Sequence, residues 1–353
     1  MKLLAVMCCL LGSSWAAAAT LAAPVYKGFG DWLVGCDNVG DCEALAAAAE
    51  PQRLTLRIQQ PAGPAGRLTV RLEGDERFSV TDLQLDGRPL GLDAAGWQVS
   101  SDGQGEQPFE IASRSPAAAA DFLARVRNGQ LLSYGSGDAR GAASLSGLSA
   151  ALLLIDEKQG RLGTAAALLR RGSKPASSVP AAAPVPPAPA ASPVPPGLDE
   201  RQGRALIAAV RRSQAGLLKE VDCEAPGSPG MVDEADALDA REALVSLACW
   251  AGAYQTSSLL FRVQRAAPHA AQRLVLKSPL GSRYDHLTNV SYDPGTGVLQ
   301  HFAKGRGVAD CGESAEWQFD GRDFVMTRFS YMDRCAGLRP ELWFELWRTG
   351  APR

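Results

Sequence analysis

Histidine is scarce in this 353-residue sequence, and the common catalytic motifs are missing. The three histidines are His269, His286 and His301, and no two of them stand at a spacing that suits a metal site. There is no G-x-S-x-G elbow, no H-E-x-x-H helix, no phosphate-binding loop and no Rossmann glycine pattern. The sequence therefore assigns no catalytic, metal-binding or cofactor-binding residue. A pair of carboxylates in a sheet protein leaves no spacing signature, so a carboxylate-dependent hydrolase stays an alternative.

The chain also lacks a strong net charge and a long internal apolar run. The formal net charge is −2, which is too small to indicate a nucleic-acid partner. Beyond the first residues, no apolar stretch reaches the roughly 20 residues that a membrane span needs. We therefore expect no nucleic acid as partner and no transmembrane segment in the mature chain.

The first residues have the layout of a secretory signal peptide. Lys2 provides a positive start, Leu3–Leu11 form an apolar run, and Ala17–Ala19 fit the small-x-small cleavage rule. We expect residues 1–19 to be removed, with Ala23 as a less favoured cleavage site, and the mature protein to be periplasmic. An uncleaved membrane anchor is the alternative, because the whole stretch is about 20 residues long.

Six cysteines remain after the leader, and an even number in an exported chain predicts disulfides. The first two lie in GDWLVGCDNVGDCEA, which reads as a strand entering a hairpin. A zinc ribbon or a thioredoxin-like centre needs cysteines two residues apart, so a structural disulfide is favoured over both. Sequential pairing closes the shortest loops, and it gives Cys36–Cys42, Cys223–Cys249 and Cys311–Cys335.

A proline- and alanine-rich segment at residues 174–197 divides the chain. Such a composition predicts an extended, polyproline-like spacer with an exposed backbone. It separates an N-terminal β-rich domain at about 24–173 from a C-terminal α+β domain at 198–350. We expect the two domains to fold independently of each other.

The first domain reads as strands followed by helices. Residues 53–60 and 67–74 alternate apolar and polar side chains, and residues 78–90 continue the pattern. A helix follows Ser115, an N-cap, and a second helix is predicted over 144–160. The second domain opens with a helix at 199–220. It continues with the strand-like runs ALVSLACW, SSLLFRVQ, QRLVLKS, LTNVSYD, GVLQHFAKG, AEWQFDG, DFVMTRFSYM and ELWFELWR. Both domains are therefore predicted as α+β, each a mostly antiparallel sheet or sandwich with a few packed helices.

Aromatic residues are concentrated in the second domain, together with arginines at alternating strand positions. Aromatic side chains and arginine are enriched in interface hot spots, although aromatics also fill cores. If they are exposed, these side chains form a binding surface for a protein or a glycan. The candidate members are Trp250, Tyr254, Trp343, Arg262, Arg328 and Arg348.

Several segments resemble known families. GDWLVGCDNVGDCEA, LQLDGRPL and SLSGLSAALLLID are similar to segments of the invasion-associated locus B family, which implies a β-rich N-terminal domain. With LACWAGAYQTSSLLF and GRGVADCGESAEWQFDGRDF in the second half, the whole layout resembles an uncharacterised proteobacterial family of exported proteins, domain-of-unknown-function family 1176. The resemblance implies a periplasmic location and supplies no catalytic residue.

These observations predict a non-enzymatic periplasmic protein that serves as a binding, envelope-maintenance or host-interaction module. Its partner would be a protein or glycan of the cell envelope, and no cofactor is implied. An inhibitor of an extracellular hydrolase such as lysozyme is an alternative, because small disulfide-bonded β-domains often have that role. The hydrolase with unidentified carboxylates is the other alternative.

Overall fold

The computed structural model describes residues 23–48, 53–103, 108–136, 140–223 and 230–350. The predicted signal peptide, residues 1–19, lies outside the described residues. Antiparallel sheets dominate both halves of the chain and a few helices pack against them, which is the α+β class that the sequence predicts. Among the helices of the described residues, none is long and apolar enough to cross a membrane.

A seven-stranded antiparallel sheet forms the body of the first half. Side chains alternate along the strand Leu54–Gln60, with Leu56 and Ile58 pointing into the core while Arg57 and Gln59 point outward. In spatial order, the strands are β1 (Val25–Phe29), β2 (Trp32–Cys36), β3 (Cys42–Ala46), β4 (Leu54–Gln60), β5 (Thr69–Gly74), β9 (Phe109–Ser113) and β8 (Trp97–Asp102).

A small sheet and two helices cover the inner face of this sheet. The alternating pattern expected over 78–90, with a turn at Asp86-Gly87, holds in its second part, where that turn joins two short antiparallel strands. Its first part differs, because Ser79 and Asp82 form a capping box that turns the chain into a 3-10 helix at Val80–Asp82. The predicted second helix begins later, since Gly141–Ser144 form a strand. The elements are β6 (Gln84–Leu85), β7 (Arg88–Pro89), β10 (Leu131–Tyr134), β11 (Gly141–Ser144), α1 (Pro116–Val126) and α2 (Leu148–Lys158).

The second half begins with the predicted helix, which breaks at Gln214 into α3 (Glu200–Ser213) and α4 (Ala215–Glu220). Leu206 and Val210 of α3 pack on Val245 and Phe261 of the sheet beneath. Strand β12 occupies a charged stretch that the sequence analysis left unassigned. The sheet consists of β12 (Glu234–Ala237), β13 (Glu242–Ala251), β14 (Thr256–Gln264) and β15 (Gln272–Arg273), with β18 (Leu287–Thr288) also paired to β14.

A second, five-stranded antiparallel meander completes this half. Its five strands lie side by side in sequence order, and bulges interrupt the pairing of the third strand with the fourth and of the fourth with the fifth. A 3-10 helix at Pro340–Leu342 leads into the last strand. The strands are β19 (Ser291–Asp293), β20 (Val298–Lys304), β21 (Gly312–Phe319), β22 (Phe324–Met332) and β23 (Phe344–Arg348), and a separate pair is formed by β16 (Leu276–Lys277) and β17 (Arg283–Tyr284).

Three disulfides join the six described cysteines in sequential pairs. Cys36 faces Cys42 across the β2–β3 hairpin, so this bond closes the hairpin at its turn. The other two bonds are Cys223–Cys249 and Cys311–Cys335, both within the second half. Each bond therefore fixes local structure, and none of the three bridges the two halves.

The two halves pack against each other, a contact that the length of the spacer permits but does not require. Leu33 and Leu45, on the outer face of the first sheet, belong to one buried cluster with Phe344 and Leu346 of β23. Residues 174–196 run along this joint instead of standing free, and we call them the strap. The strap makes backbone hydrogen bonds with both halves, and Val179 within it is buried. Sequence composition predicts its extended conformation but not the surfaces it touches.

Candidate functional site

The joint between the halves is fixed by the β2–β3 hairpin and the last strand. The Asn38 side-chain amide donates to the Arg348 carbonyl at 2.9 Å, and the Arg348 backbone N–H donates back to the Asn38 amide oxygen at 3.0 Å. The Arg348 guanidinium lies 2.9 Å from the Asp37 carboxylate and also pairs with Asp41. This hairpin, closed by the Cys36–Cys42 disulfide, therefore acts as the clamp that holds β23.

Asp37 is buried although it is charged, and its surroundings explain how. Burial raises its pKa, while the Arg348 charge and the N–H groups of Val39 and Asp41, which donate to the carboxylate at 3.0 and 2.8 Å, oppose that rise. The Asp37 carboxylate thus accepts hydrogen bonds from the backbone of the turn and also forms the ion pair with Arg348.

Further polar contacts extend the joint along the first sheet. The Tyr26 hydroxyl donates to Asp333 at 2.6 Å, and Arg334 donates to the carbonyls of Gly30 and Ala47 at 2.9 and 3.0 Å. Arg339 lies 2.7 Å from the buried Glu73, whose pKa is raised by burial although the arginine charge opposes the rise. Burial also raises the pKa of Tyr26. These contacts hold the halves at a fixed spacing on both sides of the apolar cluster.

Where the apolar contact ends, the two sheets separate and leave a cleft of about 730 Å³. Its first wall is the outer face of β3–β5. Arg57 donates twice to Glu43, at 2.6 and 2.8 Å, and Gln59 donates to the same carboxylate at 3.1 Å. Burial alone would lower the pKa of Arg57, but Glu43 outweighs it and raises that pKa. The wall is a cross-strand ladder of charged and amide groups.

The second wall is the facing surface of β20–β23, and it carries a similar ladder. Gln300 donates to Glu316 at 3.2 Å, and Arg328 lies 2.7 Å from Glu345. The strand register places Gln300 opposite Glu316 and Glu316 opposite Arg328, so these polar side chains form a row across neighbouring strands. The polar face of an antiparallel sheet is usually directed to solvent, but here the polar faces of the two sheets lie opposite each other across the cleft.

Aromatic side chains lie behind the cleft rather than across its mouth. Trp343 is 5 % exposed and stacks on Phe302, with ring centroids 5.3 Å apart. The indole Nε1 of Trp343 is buried and has no hydrogen-bond partner among the described residues. Phe344 is also buried and packs directly against Gly35. The floor is therefore apolar and contains one donor without an acceptor.

Negative charge exceeds positive charge in the cleft. Three arginines line it, and they face six carboxylates, which are Asp37, Asp41, Glu43, Glu316, Glu341 and Glu345. Among the described contacts, four of these carboxylates pair with an arginine, whereas Glu316 accepts only from an amide and Glu341 has no ion-pair partner. The uncompensated charge of the cleft therefore rests mainly on Glu316 and Glu341.

The strap forms the rim of a second cavity beside the cleft. This cavity, of about 340 Å³, is bounded by Ala188 and Pro189 of the strap. Four of its lining side chains, Glu316, Arg328, Glu345 and Arg348, also line the cleft. The Gly350 N–H donates to the Pro186 carbonyl at 2.8 Å, which anchors the strap next to this cavity. The two spaces are parts of one groove.

The structure divides the predicted aromatic and arginine surface into two groups. Trp343, Arg328 and Arg348 come together in the cleft. The other three side chains lie elsewhere. Trp250 is half-buried, with its ring edge on His286 at 5.2 Å; Tyr254 is 74 % exposed at the tip of the β13–β14 hairpin; and Arg262 pairs with Glu242 and lies over the Phe319 ring. One continuous surface of all six residues is therefore not formed.

Two further clusters of reactive side chains serve structural roles. Glu313 accepts a hydrogen bond from the Tyr284 hydroxyl at 3.2 Å and lies 3.2 Å from His301 Nε2, while His301 Nδ1 contacts the backbone of Thr288. Burial and the Glu313 charge raise the pKa of Tyr284. Asp310 lies close to Cys311 and Cys335, but these cysteines are joined in a disulfide and cannot offer thiolates to a metal.

Sequence reasoning missed most of the cleft. Arg57 and Gln59 stand at outward positions of a strand whose alternation was recognised, whereas Glu43 lies in a strand that the sequence analysis did not assign. The unusual feature is that these positions carry paired opposite charges on neighbouring strands. That pattern was visible in the sequence, but the partner sheet that faces it was not.

Comparison with known proteins gives a family and no mechanism. No solved structure matches this chain. The chain is 31 % identical over 348 residues to the uncharacterised protein YpfG of Escherichia coli strain K12, and this alignment covers 93 % of the chain and 94 % of YpfG. The comparisons do not show the resemblance of the N-terminal half to the invasion-associated locus B family. A family model described as a protein of unknown function, DUF1176, matches residues 26–350, and the chain belongs to that family.

Proposed function

We propose that this chain is a non-enzymatic periplasmic binding protein whose ligand, a protein or glycan of the cell envelope, occupies the cleft between the two halves. The observation that carries the proposal is the cleft itself: about 730 Å³ between two facing charged ladders. Specific ligand sites are concave and combine an apolar floor with a small number of placed polar groups. The cleft has both features.

The state of its carboxylates favours binding over catalysis. A catalytic acid or base must exchange a proton with a substrate, so it needs a free oxygen aimed at the reacting group. Asp37 and Glu43 instead direct their oxygens to backbone N–H groups and to arginines of the protein. The carboxylate-dependent hydrolase would therefore have to use Glu316 and Glu341, which line the cleft without an arginine partner among the described residues, and it stays the alternative.

Three disulfides suit an exported protein, because such bonds persist in oxidising compartments. The periplasm is our proposal for that compartment, reached by cleavage of residues 1–19. The division into a first domain at 24–173, a proline- and alanine-rich linker at 174–197 and a second domain at 198–350 is part of the proposal. Each domain provides one wall of the cleft, and we propose one shared binding site rather than a separate activity for each domain.

Photo-crosslinking in living cells tests the proposal. A photoreactive benzoylphenylalanine replaces Ser314 on one wall or Thr69 on the other, and both residues line the cleft. Matched positions outside it are Arg88, which is exposed on β7, and Tyr254 at the hairpin tip. After irradiation of intact cells, each variant is isolated and its adducts are identified by mass spectrometry.

We expect a discrete adduct from both cleft positions and none from Arg88. Adducts from Tyr254 alone would move the binding surface to the exposed aromatic hairpin and overturn the proposal. Equal adducts from all four positions would indicate non-specific contact and would also overturn it. If the adduct contains an extracellular hydrolase, the inhibitor alternative becomes the specific form of the binding function.

A further inference from the structure

We infer that the ligand of the cleft is an extended basic segment of a protein, which runs through the cleft and under the strap. The inference rests on the proposed function and specifies its ligand class. It combines the charge of the groove, its length, and the way its aromatic side chains are buried. Each of these features is independent of the others.

The charge of the groove selects a cation. Glu316 lines both the cleft and the adjoining cavity, and its only described side-chain hydrogen bond is with an amide. Glu341 is exposed and lines the cleft, with no ion-pair partner among the described residues. A lysine or arginine side chain beside either carboxylate would gain charge-assisted hydrogen bonds without breaking an existing ion pair.

The shape of the groove selects an elongated ligand. The cleft and the cavity under the strap share Glu316, Arg328, Glu345 and Arg348, so one ligand can contact all four from end to end. Ala188 and Pro189 form the far rim. The strap is held there by hydrogen bonds of Gly350 to Pro186 and of Ser192 to Phe319, at 2.8 and 3.3 Å. The spacer of the sequence therefore becomes one edge of the binding site.

The aromatic side chains favour a peptide over a glycan. A sugar ring binds to an exposed aromatic face, but Trp343 and Phe344 are 5 % and 3 % exposed, and Trp343 already stacks on Phe302. The buried Trp343 Nε1 lacks an acceptor, but peptide carbonyls and sugar hydroxyls can both accept from it, so the burial of the aromatic faces is what separates the two ligand classes. The groove thus offers charge and hydrogen bonds rather than a stacking platform.

The test uses the full-length mature protein and three labelled probes in fluorescence anisotropy. The probes are a short peptide of alternating lysine and serine, the same peptide with glutamate for lysine, and a chito-oligosaccharide. The variants Glu316→Gln and Glu341→Gln each remove one unpaired charge of the groove. Glu157→Gln, an exposed position on α2 away from the groove, is the matched control.

We expect the lysine peptide alone to bind, more weakly at about 0.3 M salt than at low salt. Glu316→Gln and Glu341→Gln should each raise its dissociation constant by about fivefold, and Glu157→Gln should leave it within about twofold. Ala188→Trp, which fills the cavity under the strap, should weaken binding, whereas Ala190→Trp, exposed on the same strap, should not. Circular dichroism of each variant excludes loss of fold as the cause.

Three outcomes would overturn the inference. These are binding of the chito-oligosaccharide in place of the lysine peptide, equal binding of the glutamate peptide, and equal effects of Glu316→Gln and Glu157→Gln. If one of these occurs while Ser314 and Thr69 still give adducts in cells, only the ligand class is wrong. If those adducts are also missing, the cleft itself is not the site and the proposed function fails.

Discussion

At the scale of single residues, two arginines of the cleft have very different environments. Arg348 pairs with Asp37, whose side chain is only 6 % exposed, whereas Arg328 is 59 % exposed and pairs with Glu345. Arg348→Met would leave a buried carboxylate without its partner, which typically costs about 3 kcal/mol of unfolding free energy. Arg328→Met should cost less than about 1 kcal/mol. Urea denaturation followed by circular dichroism measures both, and equal losses would show that Arg348 is not a structural residue of the joint.

A second residue-scale effect is a dependence of stability on pH. Burial, with a smaller contribution from the Glu234 charge, raises the pKa of Asp236 to about 6. The folded state therefore binds a proton more tightly than the unfolded chain, so the unfolding free energy falls as pH rises from about 4 through about 6. The half-exposed site is partly screened by solvent, which limits the effect to about 1 kcal/mol.

The variant Asp236→Asn removes this dependence. It should be more stable than the unmodified protein at pH about 8 and equal to it at pH about 3.5. Thermal unfolding at several pH values measures the difference, and Asp75→Asn on an exposed turn controls for the change of side chain. A gain that is the same at every pH would contradict the assignment of the effect to ionisation of Asp236.

At the scale of elements, the close approach of β2 and β23 depends on a glycine. A Cβ atom at position 35 would lie 2.5 Å from Cδ1 of Phe344, so Gly35→Ala should push the strands apart and cost about 1–3 kcal/mol. Gly203→Ala within α3 meets no such contact and should stabilise by about 0.5–1 kcal/mol. Denaturation midpoints of the two variants should therefore move in opposite directions, and a neutral Gly35→Ala would show that the strands have room to spare.

Elements were predicted well where local signals were strong. The strand at 54–60, the helix after Ser115 and the strands of the second half follow from alternation, capping and turn residues. Within residues 78–90, the Asp86-Gly87 turn was predicted correctly, whereas Val80–Asp82 form a 3-10 helix in place of a strand because of the Ser79–Asp82 capping box. Of the cleft, only Trp343, Arg328 and Arg348 were predicted as site residues. Its walls come from strands that are far apart in sequence. The residues that neighbour Arg57 or Glu316 in the sequence carry no signal that the two sheets face each other.

At the scale of the whole molecule, the shared cluster around Leu33, Leu45 and Phe344 should couple the unfolding of the halves. We expect hydrogen exchange in urea to show strands β2 and β23 losing protection at the same denaturant concentration. The fragment 198–350 alone should unfold at lower urea than the same residues in the full chain, because it exposes part of that cluster to water. Two separate transitions, with the fragment as stable as the full chain, would restore the picture of independent domains.

The central claim is that one ligand contacts both walls of the cleft. Hydrogen–deuterium exchange of the full-length protein, with and without a saturating lysine-rich peptide, tests it most directly. The account predicts slower exchange in β3 (Cys42–Ala46), in β4 (Leu54–Gln60) and in β20–β23 (Val298–Arg348), with no change at the hairpin tip around Tyr254. Slower exchange on one wall only, at the hairpin tip, or on neither wall would contradict it.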